Sequence, residues 1–173
     1  MRLAQLCGIL AVIVTLSRAG TFIAEQHDFV RLNGKPFIDS LHFDVYNPDI
    51  PFVLRLENGP GGAARVSSAW VKLNGTPVFT EGDFDQQVSH LERPVPVLAN
   101  NLLTARLRSK PGSVVRVFVV GTDNGAPSVS IVSPSDDTVL ATRTPLLEVA
   151  YDDIESGVVL DSVRILLDGV DHT

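Results

Sequence analysis

Short apolar stretches alternate with polar turn residues along most of the chain, and this pattern predicts an all-β protein. From about residue 29 onward, no window keeps a helical period beyond two turns. The predicted strands recur at roughly 8–12-residue intervals, as a sandwich of antiparallel strands requires. In the first part of the chain they are Phe29–Leu32, Leu41–Tyr46, Phe52–Glu57, Val66–Leu73, Pro77–Phe79, Pro94–Leu98, Leu102–Arg108 and Val114–Val120.

Glycine-containing turns indicate how these strands connect. Asn33-Gly34 and Asn74-Gly75 favour the positive φ of tight hairpin turns, so each is predicted to join two antiparallel strands. Lys110-Pro111-Gly112 predicts a third hairpin, between Leu102–Arg108 and Val114–Val120. Val114–Val120 is apolar on nearly both sides, which predicts an interior strand.

Two polar segments interrupt the strand pattern. Between residues 80 and 93, Phe84, Val88 and Leu91 have helical spacing, which predicts a loop with a helical turn. Residues 121–127 contain no apolar side chain larger than alanine, which predicts a domain boundary with a linker at 123–127.

The segment after the linker has the same strand pattern but is short. A sandwich of this kind needs roughly 100 residues, and residues 128–173 hold only about half of that. The Asp168-Gly169 turn begins a hairpin whose second strand is not supplied, so the preceding strand is expected to have an open edge. We therefore expect one complete module at 20–122 and a truncated second module at 128–173, from the N-terminal part of a longer protein. The predicted strands of the second module are Ser128–Val132, Leu146–Tyr151 and Val163–Leu167.

The first 19 residues have the three parts of a secretory signal peptide. Arg2 supplies the positive charge, Leu6–Leu16 the apolar run, and Ser17 and Ala19 the small residues before the cleavage point after Ala19. The alternative is a membrane anchor, but the apolar run is about 11 residues and a spanning helix needs roughly 20. We expect a secreted or cell-surface protein with no membrane span in the mature chain.

Charge and cysteine content narrow the function classes. The chain has 14 Lys and Arg against 20 Asp and Glu, a net charge of −6, so it lacks the basic surface that nucleic-acid binding requires. Removing residues 1–19 takes away Arg2 and Arg18 and no acid, which changes the net charge to −8. The single cysteine, Cys7, leaves with the signal, so disulfides and thiolate metal sites are excluded. An exported protein without disulfides is more typical of bacteria than of small eukaryotic ectodomains.

Several stretches resemble the tandem immunoglobulin-like modules at the front of large bacterial secreted and cell-surface proteins. They are VSSAWVKLNG, GDF, VPVLANNLLTARLRSKPGSVVRVFVVGTDN, SVSIVSPSDD, YDDIESGV and SVRILLDGVD. The resemblance implies an immunoglobulin-like β-sandwich fold. It also implies a role in spacing, display or adhesion, with any enzymatic domain further along the chain. It brings no catalytic motif with it.

Catalytic patterns are absent from the sequence. The four histidines, at positions 27, 42, 90 and 172, show none of the spacings of zinc enzymes, and no GxSxG motif occurs. The glycine-rich piece Gly59–Gly62 lacks the Lys-Ser/Thr of a phosphate-binding loop. We predict that these residues do not form an enzyme.

Acidic residues gather at the boundary and in the second module, and they suggest calcium as the one candidate cofactor. Asp123, Asp152 and Asp153 are the candidate ligands, because calcium takes several oxygen ligands from converging loops. The alternative, which we favour, is that these acids cap turns and keep the surface soluble.

Trp70 is the candidate sugar-binding residue. Alternation in its strand places Ser68, Trp70 and Lys72 on the face opposite Ala69, Val71 and Leu73, which is the more polar face. The alternative, which we favour, is that Trp70 packs under a neighbouring loop, because tryptophan is highly buried on average.

These observations favour a noncatalytic structural, adhesion or spacer module at the N-terminus of a larger exported protein. The alternative is a carbohydrate-binding accessory module of a secreted hydrolase. The expected partners are downstream domains of the same chain and a cell-surface protein or polysaccharide, and not nucleic acid.

Overall fold

The computed structural model describes residues 10–14, 20–35, 38–135, 138, 141–142, 144–158, 161, 163–167 and 170–171. In this part of the chain it is all-β and has no α-helix. The chain divides into two compact units. One unit is Gly20–Asp123, and the other combines strands from residues 1–19 with strands from residues 124–173.

The unit Gly20–Asp123 is a β-sandwich of two four-stranded antiparallel sheets. One sheet has the order β2-β9-β4-β7 and the other the order β3-β8-β5-β6. The strands are β2 (Gly20–Val30), β3 (Asp39–Asp44), β4 (Phe52–Asn58), β5 (Ala69–Leu73), β6 (Thr76–Phe79), β7 (His90–Val95), β8 (Asn100–Leu107) and β9 (Val114–Asp123).

The core of this unit lies between the two sheets. Strands β4, β5, β8 and β9 alternate fully buried positions with more exposed ones, and the buried set meets in a single cluster. Leu54 and Leu56 from one sheet and Val71 from the other are 0% exposed. Burying each such side chain stabilises the fold by about 1.5–3 kcal/mol, so this alternation fixes which face of every strand points outward.

Strand β9 is the interior strand that its sequence predicts. It lies between β2 and β4 in its sheet, and along most of its length buried inward-facing residues alternate with half-buried outward-facing ones. Gly121 pairs with Phe22 on one side and with Phe52 on the other. The two phenyl rings meet edge to face with their centroids 6.2 Å apart, and a Cβ on Gly121 would lie 2.5 Å from the Phe22 ring. Glycine at position 121 is therefore what lets the two rings meet across the strand.

One of the three predicted hairpins is confirmed and two are wrong. Asn74-Gly75 joins β5 to β6 with both residues at positive φ. Asn33-Gly34 instead lies between β2 and β3, and Lys110–Gly112 lies between β8 and β9. In both cases the two connected strands belong to different sheets. The reason is that β8 and β9 are each central in a sheet and face each other through their apolar sides across the core.

The start of the unit and the segment before β7 also differ from the sequence-based prediction. Strand β2 begins at Gly20, well before the predicted Phe29, and a bulge between Ile23 and Glu25 breaks its alternation. The predicted helical turn is a 3₁₀ turn at Glu81–Asp83. The residues after it form β7, which pairs with β4 along six positions.

The second unit contains a two-stranded and a three-stranded antiparallel sheet. Val163–Leu167 lies between Leu10–Val14 and Val170–Asp171, so the expected open edge of this strand is wrong. The turn residues Asp168 and Gly169 lie outside the described residues. The strands are β1 (Leu10–Val14), β10 (Ser128–Ser133), β11 (Glu148–Asp152), β12 (Val163–Leu167) and β13 (Val170–Asp171).

Strand β1 falls within the predicted signal peptide, whose remaining residues, 1–9 and 15–19, lie outside the described part. A search of the described residues found no helix with the length and apolar character needed to cross a membrane.

Candidate functional site

Trp70 lies on the outer side of the β3-β8-β5-β6 sheet. Its strand neighbours Ala69 and Val71 are buried in the core, whereas Trp70 and Lys72 are half-buried on the opposite side. The sequence prediction that Trp70 occupies the more polar face is therefore confirmed for its position on the strand. Its role in sugar binding stays a prediction.

Strand β8 places two polar side chains next to Trp70. Arg106 is the register partner of Trp70, and Thr104 is the register partner of Lys72. Both are half-buried, and they alternate with the buried core residues of β8. Side chains directly opposite on one face of a sheet have Cβ atoms about 4.5–5.5 Å apart. We call the surface formed by Trp70, Lys72, Thr104 and Arg106 the tryptophan face.

The two cations of this face differ from several arginines of the unit, which pair with carboxylates. The Lys72 ammonium lies over the indole ring of Trp70, 5.0 Å from its centroid. In the described part of the chain, neither Lys72 nor Arg106 has an ion pair with a carboxylate. By contrast, Arg55 pairs with Glu92 at 2.7 Å and Arg108 pairs with Glu81 at 3.1 Å.

The tryptophan face combines an aromatic ring, two positive charges and one hydroxyl. An indole ring offers a flat apolar surface for the C–H face of a sugar, and its N–H and its neighbours offer polar contacts. The outer positions of β5 and β8 hold no second aromatic residue. Any stacking here therefore depends on Trp70 alone, and the charged neighbours decide what else is recognised.

Asp153 is held within its own turn. One carboxylate oxygen, Oδ1, accepts the backbone N–H groups of Glu155 at 3.0 Å and Ser156 at 3.1 Å. The other, Oδ2, accepts the hydroxyl of Ser156 at 3.1 Å. The carboxylate is 5% exposed as part of this turn, which matches the turn-capping alternative for this residue.

The other two candidate calcium ligands occupy strand ends. Asp152 is exposed at the end of β11, opposite Ser128. Asp123 is buried at the end of β9, opposite Gly20, in the other unit. Across the described residues, no group of three or more His, Cys, Asp or Glu side chains is placed to hold a metal ion. The calcium hypothesis stays a prediction for Asp123, Asp152 and Asp153.

Glu155, in the same acidic turn, binds backbone. Its carboxylate accepts the N–H groups of Asn124 and of Gly125, the latter at 3.0 Å. These two residues belong to the predicted linker, so the turn at 153–157 is tied to the start of its own unit.

Buried polar side chains of the sandwich hold its loops in place. Asn58 is 3% exposed. Its side-chain amide accepts a hydrogen bond from the N–H of Val66 and donates hydrogen bonds to the C=O groups of Val66 and Val88. Asn101 bonds the N–H and C=O of Leu98 in the turn before β8. These amides satisfy backbone groups that would otherwise be buried without partners.

The histidines do not meet in one site within the described residues. His27 packs against the Phe29 ring with centroids 4.6 Å apart. His42 is exposed on β3, as expected for a surface strand residue. On β7, in the sheet β2-β9-β4-β7, the Nε2 atom of His90 lies 4.0 Å from the carboxylate of its register partner Glu57. His172 lies outside the described residues.

Two carboxyl groups in the described part of the chain, those of Asp28 and Asp83, have a pKa below the usual value. Arg116 donates two hydrogen bonds to Asp28, at 2.6 and 2.8 Å, and these hold the pKa of the Asp28 carboxyl below its usual value. At Asp83, desolvation raises the pKa, but hydrogen bonds from Thr80 and Arg93 outweigh it and lower the pKa overall. Both acids are charged and paired at neutral pH, as structural surface pairs are.

The sequence placed Lys72 on the same face as Trp70 but did not identify Arg106 as its neighbour. Alternation in the strand already placed Lys72 beside Trp70. Arg106 required the knowledge that β8 pairs with β5, whereas the sequence suggested a hairpin between β8 and β9.

Comparisons with known proteins found no match for this chain among protein families, curated proteins or solved structures. The likeness to tandem immunoglobulin-like modules therefore stays an expectation.

Proposed function

We propose that Gly20–Asp123 is a noncatalytic, immunoglobulin-like display module of an exported protein, used for adhesion. The observation that carries this proposal is the pairing of Gly20 with Asp123, the first and last residues of the unit. Directly opposite residues of an antiparallel pair have Cα atoms about 4.5–5.5 Å apart. The chain therefore enters and leaves the sandwich at the same end.

This arrangement favours display over spacing, and cleavage after Ala19 would leave the unit attached to the rest of the chain only at its Asp123 end. A spacer adds length to a chain when the chain enters at one end of a module and leaves at the other. Here the opposite end of the β2–β9 pair lies about 30 Å away, the length of ten strand residues at about 3.3 Å each. The unit therefore adds almost no length between its two ends, which lie side by side.

The internal chemistry of the unit supports a noncatalytic role. Its buried amides, Asn58 and Asn101, bind loop backbone, and its surface acids Asp28 and Asp83 are paired with arginines. These polar groups stabilise the sandwich. From residue 20 on the chain has no cysteine, so packing and hydrogen bonds have to hold the fold together outside the cell.

Spin-label distances test the display arrangement. The full chain would carry Thr21→Cys with Thr122→Cys, a register pair near the two ends, and Cys7→Ser to remove the natural thiol. We expect a label separation below about 20 Å, given the Cα spacing of a strand pair. The control pair, Thr122→Cys with Lys110→Cys, spans β9 and should give more than about 30 Å.

Export is tested on the same chain. Expressed in a bacterial host with its own first 19 residues, the protein should be recovered outside the cytoplasm with Gly20 as its N-terminus by mass spectrometry.

A separation above 30 Å for the Thr21 and Thr122 labels would contradict display. An unprocessed chain in the cytoplasm would contradict export.

A second candidate function is carbohydrate binding, as an accessory module of a secreted hydrolase. The half-buried position of Trp70 on the outer side of its sheet favours it. The tryptophan face offers a ring for stacking and polar groups beside it. Binding of a polysaccharide that is lost in Trp70→Ala is the test.

A further inference from the structure

We infer that the tryptophan face binds an anionic polysaccharide, a sugar chain that carries carboxylate or sulfate groups. This inference rests on the second candidate function above and names the class of its ligand. It depends on three features: the charge of the face, the position of the Lys72 ammonium and the spacing of the charges around Trp70.

The charge of the face is opposite to that of the protein. The chain has a net charge of −6, yet Lys72 and Arg106 both lie beside Trp70, and within the described chain neither pairs with a carboxylate. Most arginines of the outer surface have such a partner, as Arg55 and Arg116 do. Two cations that form no ion pair within the described chain are available to an anion from outside.

The position of Lys72 discriminates between neutral and anionic sugars. Its ammonium lies 5.0 Å from the centroid of the Trp70 ring and makes a cation–π contact there. A neutral sugar that stacks on this side of the ring displaces the ammonium and offers it no charged partner. A sugar that carries an anion replaces the lost contact with an ion pair.

The spacing of the charges suits a sugar that stacks on Trp70. Arg106 is directly opposite Trp70, with Cβ atoms about 5 Å apart, and Lys72 is two residues along the strand, about 7 Å away. Both long side chains can reach groups at the rim of a ring stacked on the indole. The Thr104 hydroxyl, opposite Lys72, adds a donor and an acceptor on the same face.

The surface favours a polysaccharide over other polyanions. Nucleic-acid binding uses a larger cluster of Lys and Arg along the phosphate backbone than the two cations of this face. An acidic peptide would use the two cations but has no flat sugar-like face for the indole.

Trp70 provides a direct probe, because it is the only tryptophan of the chain. The purified full chain is titrated with dextran sulfate and with its uncharged counterpart, dextran, and likewise with polygalacturonate and its methyl ester. We expect the anionic member of each pair to change Trp70 emission and to give a calorimetric signal that weakens with added salt. We expect the neutral members to give neither.

Four variants assign the binding to the face. Trp70→Ala, followed by calorimetry, should weaken binding by about tenfold or more, on the scale of stacking on an aromatic ring. Lys72→Gln and Arg106→Gln should each weaken it by about three- to fivefold. Lys110→Gln removes the same charge from a different surface depression, beside Arg65 and Gln86, and should leave binding unchanged. Circular dichroism and urea unfolding show whether each variant is folded, and the two Gln variants keep the test valid if Trp70→Ala does not fold.

The outcomes separate this inference from the functions on which it rests. Equal binding of dextran and dextran sulfate, with loss in Trp70→Ala, would overturn the anionic preference and leave carbohydrate binding intact. Binding of no polysaccharide would overturn both, while the display proposal would still stand on its label distances. Equal binding of polyglutamate or DNA, with the same loss in Lys110→Gln, would show charge attraction alone and overturn the inference.

Discussion

Asn58 lies at the end of β4 and holds two loops of the sandwich with one side chain. Its Oδ1 accepts the Val66 N–H at 2.7 Å, and its Nδ2 donates to the Val66 C=O at 2.9 Å and to the Val88 C=O at 3.0 Å. Val66 is 0% exposed, so water cannot replace these bonds without opening the loop. We predict that Asn58→Ala destabilises the sandwich far more than removal of an exposed asparagine.

The magnitude follows from the groups left unpaired. The variant leaves two buried backbone groups of Val66 and the part-buried carbonyl of Val88 without their partner, and each such group costs about 1 kcal/mol or more. We expect the free energy of unfolding to fall by about 2–4 kcal/mol. The matched control is Asn100→Ala, which removes one hydrogen bond to Asp44 on the exposed surface and should cost less than about 0.5 kcal/mol.

Urea unfolding followed by Trp70 emission is the assay, since the single tryptophan reports on the unit Gly20–Asp123 alone. With an m-value of about 1–3 kcal/mol/M, the Asn58→Ala midpoint should fall by about 1–3 M with m unchanged. A loss below 0.5 kcal/mol, equal to that of Asn100→Ala, would refute the assignment of Asn58 as the residue that holds these loops.

Three further predictions concern the backbone, an ion pair and an edge strand. Gly59→Ala should lower the free energy of unfolding by more than about 1 kcal/mol, because the φ of Gly59 is +78° and a Cβ would lie 2.7 Å from the Ala63 carbonyl oxygen. At Gly82 a Cβ would meet nothing within 4 Å, so Gly82→Ala should be near neutral in the same urea assay. Asp28→Asn should lower the free energy of unfolding by about 0.5 kcal/mol at pH 7, since the ion pair between Asp28 and Arg116 is well exposed. Because the pKa of Asp28 is lowered in the folded state, this stabilisation is present above the unfolded pKa near 3.8 and is lost as pH falls through the folded pKa. A stability difference between the parent protein and Asp28→Asn that persisted in strong acid would contradict the role of this ion pair. Removal of residues 1–19 should speed hydrogen exchange at the backbone of β12, which pairs with β1, and equal rates in the full and shortened chains would count against that pairing.

Alternation within a strand could be read from the sequence with good accuracy. The prediction for β4, Phe52–Glu57, differs from the observed strand by one residue. The outward position of Trp70 follows from the same alternation and is also observed. Both results depend only on the period of two along one strand, which the burial of one face enforces.

Pairing between strands could not be read in the same way. The turn at 110–112 suggested a β8–β9 hairpin. In the structure each of these strands lies between two neighbours in a different sheet, and both contribute apolar side chains to the core between the sheets. Strand β2 was underestimated because the polar run Glu25–Asp28 and its bulge hide the alternation. The partnership of Trp70 with Arg106 depends on this long-range pairing, so only the structure could show it.

Adhesion under flow tests most directly whether this is a display module with a binding face. Beads would carry the exported chain attached through its C-terminus, so that the sandwich is presented as in the proposed arrangement, and would pass over surfaces coated with anionic or neutral polysaccharide. The account predicts retention on the anionic surface and loss of retention for Trp70→Ala. Beads that are retained on neither surface, or that are retained equally well with Trp70→Ala, would contradict it.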